Sequence, residues 1–328
     1  MNSFEELIVV AGPTASGKTS FALNLAKELN AVLINADSMQ VYRGMNIGTN
    51  KGEIKRLREL GIKIFPSAKL RNGNIKRRRG GDENKSVYEI DAYEVKSSGV
   101  VGYMFDAVEP DEDFSVADFQ FLTNELINRI RQDGKIPILV GGTGLYIDAI
   151  INNYSFPKVE ENLELRIDAT KLSVEQLYDK LYDIAPKVAL ELNGSDRFNK
   201  RRLIRRIEQA KVGNSRGVSN KMIPHIMYYP NFERDVLYQR INNRVEEMFN
   251  EGLVLEVKEL SKKGFKECKT MQGMGYKEVV DYLEGKSSFE EAKAKIKQAH
   301  RNYASRQITW FENGARGYNL VKVSFEDL

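Results

Sequence analysis

The chain has 328 residues, 41% hydrophobic and 29% charged, enough for a large buried core or for two domains, and its composition is that of an ordinary globular protein. Its net charge of +4 permits a nucleic-acid partner without requiring one, and its single cysteine, Cys268, excludes an intramolecular disulfide and a cysteine-ligated zinc site. No run approaches the ~20 apolar residues of a membrane span and no secretory signal is legible, so a cytoplasmic protein with no membrane partner is expected.

The first element is Leu7-Ile8-Val9-Val10-Ala11, an apolar run that predicts a buried parallel strand. It enters Gly12-Pro13-Thr14-Ala15-Ser16-Gly17-Lys18-Thr19, a complete G-x-x-x-x-G-K-[ST] phosphate loop. A helix is predicted over 19–29, with Phe21, Leu25 and Leu29 on one face, and a second strand over 31–34, followed by Asp37. Residues 67–101 turn polar, with turn signals at Arg71-Asn72-Gly73-Asn74 and Gly80-Gly81. They read as a surface insertion, a hairpin with a mobile basic tip at 76–79, in which the alternation over 87–95 predicts a strand.

An amphipathic helix is predicted over 114–130, with Phe114, Ala117, Phe121, Leu122 and Leu126 as its stripe, then a strand over 135–140 that ends at Gly141-Gly142. Strand, glycine loop, helix, strand is the signature of an α/β fold with a P-loop NTPase-like, doubly wound parallel sheet. Residues 151–221 read as a separate helical lobe, so the core comprises 1–150 and 222–328. In its second part the helical period recurs twice, through Leu237, Ile241, Val245, Met248, Phe249 and Leu253, and through Ala292, Ile296, Ala299, Tyr303 and Trp310. His225 and His300 read as structural or surface groups. With no sustained heptad, a monomer is expected.

The chemistry starts at the phosphate loop. Its glycines let successive N–H groups converge on phosphate oxygens, the helix N-terminus adds partial positive charge, Lys18 a full charge, and Thr19 a hydroxyl ligand for Mg2+. The loop specifies a diphosphate or triphosphate, not an ATPase. A hydrolytic P-loop enzyme carries a metal-binding carboxylate at the end of a second apolar strand, where this chain has Gly141-Gly142-Thr143-Gly144. The carboxylate is instead Asp37, at the end of the 31–34 strand, where open α/β sheets face their ligands; a helix or turn cap is the alternative.

With these blocks assembled, the chain resembles the tRNA dimethylallyltransferase (tRNA isopentenyltransferase) family. The resemblance rests on the phosphate loop, on 37–49 (DSMQVYRGMNIGT), on 140–146 (VGGTGLY), on 239–244 (QRINNR) with Met248, Gly252, Leu253 and Glu256, on 273–278 (GMGYKE), and on 303–311 (YASRQITWF). It spans nearly the whole chain outside the insertion. It implies transfer of a dimethylallyl group from dimethylallyl diphosphate to the exocyclic N6 of the tRNA adenosine just 3′ of the anticodon, with release of diphosphate. On that resemblance the diphosphate is bound by Gly12 through Thr19. Asp37 is the base for the amine, Thr14 faces the bridging oxygen, and Arg244 completes the phosphate clamp, with Arg240 a weaker candidate.

The resemblance also assigns contacts with the tRNA anticodon stem-loop to Asp37, Ser38, Met39 and Gln40, to Thr143 and Arg166, to Arg201, Arg202, Leu203, Ile204 and Arg205, and to Gln272, Gly273, Met274, Gly275, Tyr276 and Lys277. Asn199, Arg206 and Ser305 depart from the family's usual residues, and 101–105 replaces its Pro-His-His segment. Three other readings stay open: a prenyltransferase acting on free adenine nucleotides, a small-molecule kinase, and a non-catalytic tRNA-binding homologue.

Overall fold

The structure, a computed structural model, describes residues 6–64, 88–156, 159, 162–213 and 222–324. The turn signals at 71–74 and 80–81 and the basic tip at 76–79 lie outside the described residues. The chain divides into two compact units, Met1–Ile151 with Met222–Leu328, and Asn152–Lys221. No helix among the described residues is long and apolar enough to cross a membrane.

The first unit is built on an eight-stranded sheet in the order β3-β4-β5-β2-β6-β1-β7-β8. β1 (Leu7–Ala11), β2 (Ala31–Asn35) and β6 (Ile136–Gly141) are its centre, β1 and β2 each pairing in parallel with β6. Both faces of these strands are covered, as their unbroken apolar runs require. On β1 the pleat sends Leu7, Val9 and Ala11 into a cluster with Ile34, Phe119, Leu122 and Leu139, while Val10 joins Phe21, Leu33, Ile138 and Val140 on the other side. α1 (Lys18–Glu28) packs with the second cluster and α2 (Val116–Gln132) with the first. Ser115 starts α2 with a capping box, its side chain accepting from the Asp118 N–H while Asp118 reaches back to its amide. The α2 face that is buried runs through Phe119, Leu122, Leu126 and Ile130; Phe114, Ala117 and Phe121 of the expected stripe are only partly covered.

The segment 88–101 corrects the reading of a surface insertion from 67 to 101. β4 (Tyr88–Val95) and β5 (Val101–Tyr103) belong to the central sheet, with Ile90, Ala92, Tyr93, Val95 and Val100 buried. The hairpin exists but opens earlier, at β3 (Ile54–Ile64), which pairs antiparallel with β4. β3 is an edge strand, rich in Lys and Arg and mostly exposed, with a register shift between Leu57 and Ile62. Charge and a bulge keep such an edge from recruiting other strands.

After α3 (Gly144–Ile151), and beyond the second unit, β7 (His225–Pro230) and β8 (Leu320–Val323) extend the sheet in parallel from β1. His225 stands between them: its Nε2 accepts the Asn319 N–H at 3.3 Å and its Nδ1 lies 2.9 Å from the Ile223 carbonyl, a structural role as expected. α9 (Arg234–Asn250), α10 (Leu253–Lys262), α11 (Tyr276–Leu283) and α12 (Phe289–Phe311) surround a further core of Met45, Val245, Met248, Val257, Met271, Tyr276 and Ile296. The buried stripe of α12 is Ala292, Ile296, His300, Ala304, Gln307, Ile308 and Phe311, which matches the expected one at Ala292 and Ile296 and falls one residue later from His300 onward.

The second unit comprises α4 (Leu163–Thr170), α5 (Val174–Ile184), α6 (Pro186–Leu190), α7 (Gly194–Arg197) and α8 (Lys200–Lys211) around Leu165, Leu177, Leu181, Leu203 and Ile207. Asn199, one of the departures from the family pattern, caps α8 by accepting the Arg202 N–H at 3.2 Å, a task for which Asn and Asp are equally suited. Glu208 is 2% exposed and holds the unit together: Arg166 bonds it at 2.7 and 3.2 Å, Arg205 at 2.7 Å and the Asn162 N–H at 3.1 Å. Burial pushes its carboxyl pKa up, but the bonds from Arg166, Arg205 and Asn162 outweigh that and hold it below the ordinary value.

A depressed pKa contributes stability that is complete above the unfolded-chain value of about 4.3 and is lost as pH falls through the folded value. Glu208→Gln is therefore expected to destabilise the chain at pH 7 by about 1–3 kcal/mol and to flatten the acid limb of its stability profile, as measured by urea unfolding between pH 3 and 7. A variant with unchanged stability and acid limb would contradict this role.

Candidate active site

The phosphate loop leaves β1 and bends into α1 at Gly17, whose left-handed backbone (φ +87°) no β-branched residue would adopt readily. A Cβ on Gly12 would fall 2.8 Å from the Pro230 ring, so backbone must be bare there too. The loop is braced from behind by Gln307 of α12. Its Oε1 accepts the Thr14 N–H at 2.9 Å and its Nε2 donates to the Gly142 carbonyl at 2.9 Å. The same crowding explains why β6 ends in Gly-Gly-Thr-Gly. A Cβ on Gly141 would lie 2.3 Å from the Ala36 carbonyl oxygen, on Gly142 2.2 Å from Gln307 Nε2, and on Gly144 2.3 Å from the Trp310 indole.

Asp37 follows β2 after Ala36, and Thr143 follows its parallel neighbour β6 after Gly142. The Ser38 N–H donates to Thr143 Oγ1 at 3.0 Å, and the Met39 N–H donates to Asp37 Oδ1 at 2.9 Å. Asp37 thus caps its own turn as well as facing the crevice. The loop beyond it is fixed from several directions. Glu256 of α10 accepts the N–H groups of Asn46 (3.0 Å), Ile47 (2.8 Å) and Gly48 (3.2 Å) and the Tyr276 hydroxyl (2.8 Å). The Gln40 amide donates to the Thr49 and Asn50 carbonyls at 3.0 and 3.2 Å. Lys51, 2% exposed, pairs with Asp106 and donates to the Tyr42 carbonyl at 2.7 Å. Burial pushes the Lys51 pKa down while Asp106 pulls it up.

These elements enclose a crevice of about 350 Å³. From the phosphate loop it is lined by Thr14, Lys18 and Thr19, from the loop after β2 by Asp37, Ser38, Met39 and Gln40, and from the chain entering α11 by Gln272, Gly273, Met274 and Tyr276. Three blocks widely separated in sequence therefore meet in one place. Met39 and Gly273 touch so closely that a Cβ on Gly273 would lie 2.8 Å from the Met39 methyl. Tyr276 is fully buried and serves the core, and neither Gly275 nor Lys277 lines the crevice. Gly275 instead starts α11, its N–H bonded to Glu278 at 2.9 Å.

The electrostatics favour an anion. Burial lowers the Lys18 pKa, Asp37 opposes that, and the charge of Lys96 adds to it. Lys18 Nζ donates to the Pro13 carbonyl at 3.1 Å, so its ammonium is held within the loop.

α12 supplies lining residues that motif reading had named only as part of a C-terminal block: His300, Tyr303, Arg306 and Gln307. Tyr303 bonds Thr143 and Gln307; burial and the charge of Asp37 both raise its pKa, so the phenol stays protonated. His300 is 7% exposed, and burial pushes its pKa down to about 4, so it is a neutral group on the crevice wall rather than a surface one. A helix stripe that reads as core gives no sequence signal that part of it faces a ligand.

Arg244 does not line this crevice. It is bound bidentately by Glu251 (2.7 and 3.0 Å) and by Glu247 (3.1 Å), and it lines a separate cavity of about 330 Å³ with Asn50, Glu53, Lys96 and Glu251. In the second unit the side chains of the basic run and Arg166 have unequal surroundings. Leu203 is core, Arg166 and Arg205 are committed to Glu208, and Arg202 to Asp196; Arg201 is exposed. Among the described residues no group of three His, Cys, Asp or Glu side chains could hold a metal ion.

Comparison with known proteins places this geometry in a family. The chain matches the family model described as IPP transferase over residues 93–314 and that described as isopentenyl transferase over 5–101. A tRNA dimethylallyltransferase from Halalkalibacterium halodurans is 37% identical over 98% of this chain and 93% of that protein, and one from Thermoanaerobacter sp. is 38% identical over 98% and 92%. The crystal structure of a full-length tRNA isopentenylpyrophosphate transferase from Bacillus halodurans superposes with a TM-score of 0.64 at 36% identity, covering 98% of this chain and 90% of that one. A tRNA delta(2)-isopentenylpyrophosphate transferase from Staphylococcus epidermidis gives 0.62 at 31% identity, covering 98% and 94%. With a phosphate loop, a strand-end carboxylate and a substrate-sized crevice already in place, these matches over nearly the full chain make it a member of the tRNA dimethylallyltransferase family of prenyltransferases.

Proposed function

We propose that the crevice transfers a dimethylallyl group from dimethylallyl diphosphate to the exocyclic N6 of the tRNA adenosine immediately 3′ of the anticodon, releasing diphosphate. The observation that carries this reading is the meeting of Thr14, Lys18 and Thr19 with Asp37 and with the 272–276 segment around one crevice. The donor's diphosphate lies against the phosphate loop and the N-terminus of α1. Its prenyl carbon points to Asp37. The acceptor base, extruded from its loop because it cannot react while stacked, enters beside Ser38, Met39 and Gln40.

The reaction makes a bond between N6 and the first prenyl carbon and breaks that carbon's bond to the bridging oxygen, whose electron pair leaves with the diphosphate. The lone pair of an exocyclic adenine amine is delocalised into the ring, so the amine needs a proton acceptor and strict alignment. Asp37 is that acceptor, oriented by the Met39 N–H on its Oδ1. Thr14 donates to the bridging oxygen as charge grows there. Lys18 and the loop N–H groups stabilise the departing anion, which in turn relieves the desolvated Lys18 charge. Tyr303, neutral and anchored to Thr143 and Gln307, holds the wall beside Asp37.

The oxygen donors present suit Mg2+: one carboxylate, Asp37, and the Thr19 hydroxyl line the crevice, too few for a resident protein-only site but enough for an ion shared with diphosphate oxygens. Thr19 would hold the ion, which supplies neutralising charge to the leaving group. The Asn152–Lys221 unit binds the anticodon stem-loop through phosphate contacts, which position the RNA while the crevice reads the base. Arg201 is an exposed basic residue of this unit, in the matched segment and in no ion pair among the described residues. A tRNA substrate is consistent with a cytoplasmic enzyme, and a monomer fits this reading because residues of one chain line the crevice.

Asp37→Asn is expected to lower the transfer rate at least a hundredfold while leaving diphosphate affinity within about threefold, read by single-turnover transfer and by calorimetry. Full turnover with weak donor binding would remove Asp37 from its role as base. Reversing Arg202 or Arg205 would break ion pairs that hold the second unit together, so the RNA test belongs to Arg201. Arg201→Glu should weaken tRNA binding and lower the slope of log affinity against log salt by about one. An unchanged slope would make Arg201 a solvated exterior residue.

A further inference from the structure

One face of α12 runs along the crevice, and its side chains mark positions on it. Gln307 stands at the phosphate loop, bonded to the Thr14 N–H and to the Gly142 carbonyl at 2.9 Å each. One turn back, Tyr303 bonds Thr143 and Gln307 and lies within the field of Asp37. A further turn back is His300, which also lines the crevice. Beyond it, Ile296 lies in the core of Met45, Met271 and Tyr276, against which Met39 packs. At 1.5 Å of rise per residue, His300 stands about 10 Å along the helix from Gln307 and about 4.5 Å from Tyr303. Along α12 the crevice therefore runs from its phosphate end, past the strand-end carboxylate, to His300.

His300 is 7% exposed, and its Nε2 is buried with no hydrogen-bond partner among the described residues. Its neighbours on the same face, Tyr303 and Gln307, are both bonded, and so are both ring nitrogens of His225. Burial alone moves the His300 pKa, so at pH 7 the ring is neutral and has one N–H to donate. A buried polar atom left unpaired is destabilising, and one on the wall of a crevice finds its partner in what the crevice binds. The partner follows from the reaction geometry. Displacement at the prenyl carbon needs the amine aligned opposite the leaving oxygen. With the diphosphate at the Gln307 end, the acceptor base lies toward His300. The prenyl tail is hydrocarbon and has no hydrogen bond to offer. The base has its 6-amino group, which Asp37 takes, and the two acceptor nitrogens that flank it, N1 and N7.

Resting on the prenyl-transfer reading above, we propose that His300 is an acceptor-binding residue: its Nε2–H donates to a ring nitrogen of the adenine while Asp37 takes the amine. Two bonds on adjacent edges fix the rotation of the base in its own plane, which turns the amine toward the donor carbon. The free protein bears the unpaired nitrogen, and the bound base relieves it.

The test uses the full-length protein with inorganic diphosphate and Mg2+, so that no turnover occurs. It is offered an anticodon stem-loop carrying adenosine, 1-deazaadenosine or 7-deazaadenosine at the acceptor position, and binding is read by fluorescence anisotropy. The wild type should bind one of the two deaza bases about five- to thirtyfold more weakly than adenosine. His300→Phe should bind adenosine that much more weakly and should no longer distinguish it from that deaza base. Its affinity for dimethylallyl diphosphate, read by calorimetry, should not change. Because the substitution removes an unpaired buried atom, the melting temperature should not fall, and the smaller His300→Leu repeats the test without crowding the wall. Equal binding of all three bases by the wild type, or a phenylalanine variant that still discriminates, would overturn the proposal. So would a loss confined to the prenyl donor, which would make His300 a wall of the tail pocket. Because binding is read without turnover, the result stands apart from the function itself: a wild-type protein that discriminates among the bases but prenylates no tRNA would defeat the proposed reaction and not this assignment.

Discussion

The Ala36 peptide is bonded on both sides to the chain leaving β6, its N–H donating to the Val140 carbonyl at 2.7 Å and its carbonyl accepting the Thr143 N–H at 3.2 Å. This pair of hydrogen bonds between two parallel neighbours fixes where β2 ends, and so where Asp37 stands. It requires bare backbone at Gly141, where a Cβ would lie 2.3 Å from the Ala36 oxygen. The position that holds a metal-binding carboxylate in hydrolytic P-loop proteins is thus taken by glycines, and the carboxylate moves one strand over. β1 pairs with the same strand, so the phosphate loop arrives on the same edge of the sheet. Gln307 ties the two ends together from α12.

Around this frame the cations have unequal surroundings. Burial lowers the Lys18 pKa, an effect that the charge of Asp37 opposes. Lys51, by contrast, is spent on structure: paired with Asp106 and bonded to Tyr42, it anchors the loop that carries Ser38, Met39 and Gln40. Glu256 does the same from the opposite side with three backbone N–H groups. Such preorganisation matters for a weak nucleophile, because misplacement of the amine by an ångström can cost about two orders of magnitude in rate.

Much of this was legible in the residues. β1 coincides with the 7–11 apolar run, and β2 and β6 lie within a residue of the predicted strands, since strands buried on both faces advertise themselves by continuous hydrophobicity. The phosphate loop and Asp37 were legible because glycine spacing and a strand-end carboxylate are local signals. β3 was not: an edge strand of Lys, Arg and Glu carries no periodicity that separates it from a polar loop. Nor could local pattern show that 88–101 belongs to the sheet, because its partners are distant in sequence. Leu203 lies within a matched block, yet its side chain fills a core; Tyr276 is buried in another core and still lines the crevice. Arg244 sits at the matched position, but Glu247 and Glu251, one and two turns along, hold its guanidinium. Partner choice by a long side chain is a three-dimensional property.

The central claim is that this crevice joins a prenyl diphosphate to a base presented by RNA. It is tested most directly by offering the purified protein labelled dimethylallyl diphosphate with Mg2+, in parallel with unmodified tRNA, AMP and ADP. Label should appear on tRNA alone, at an adenosine next to the anticodon. Label on the free nucleotides alone, or on none of the three despite donor binding, would contradict it.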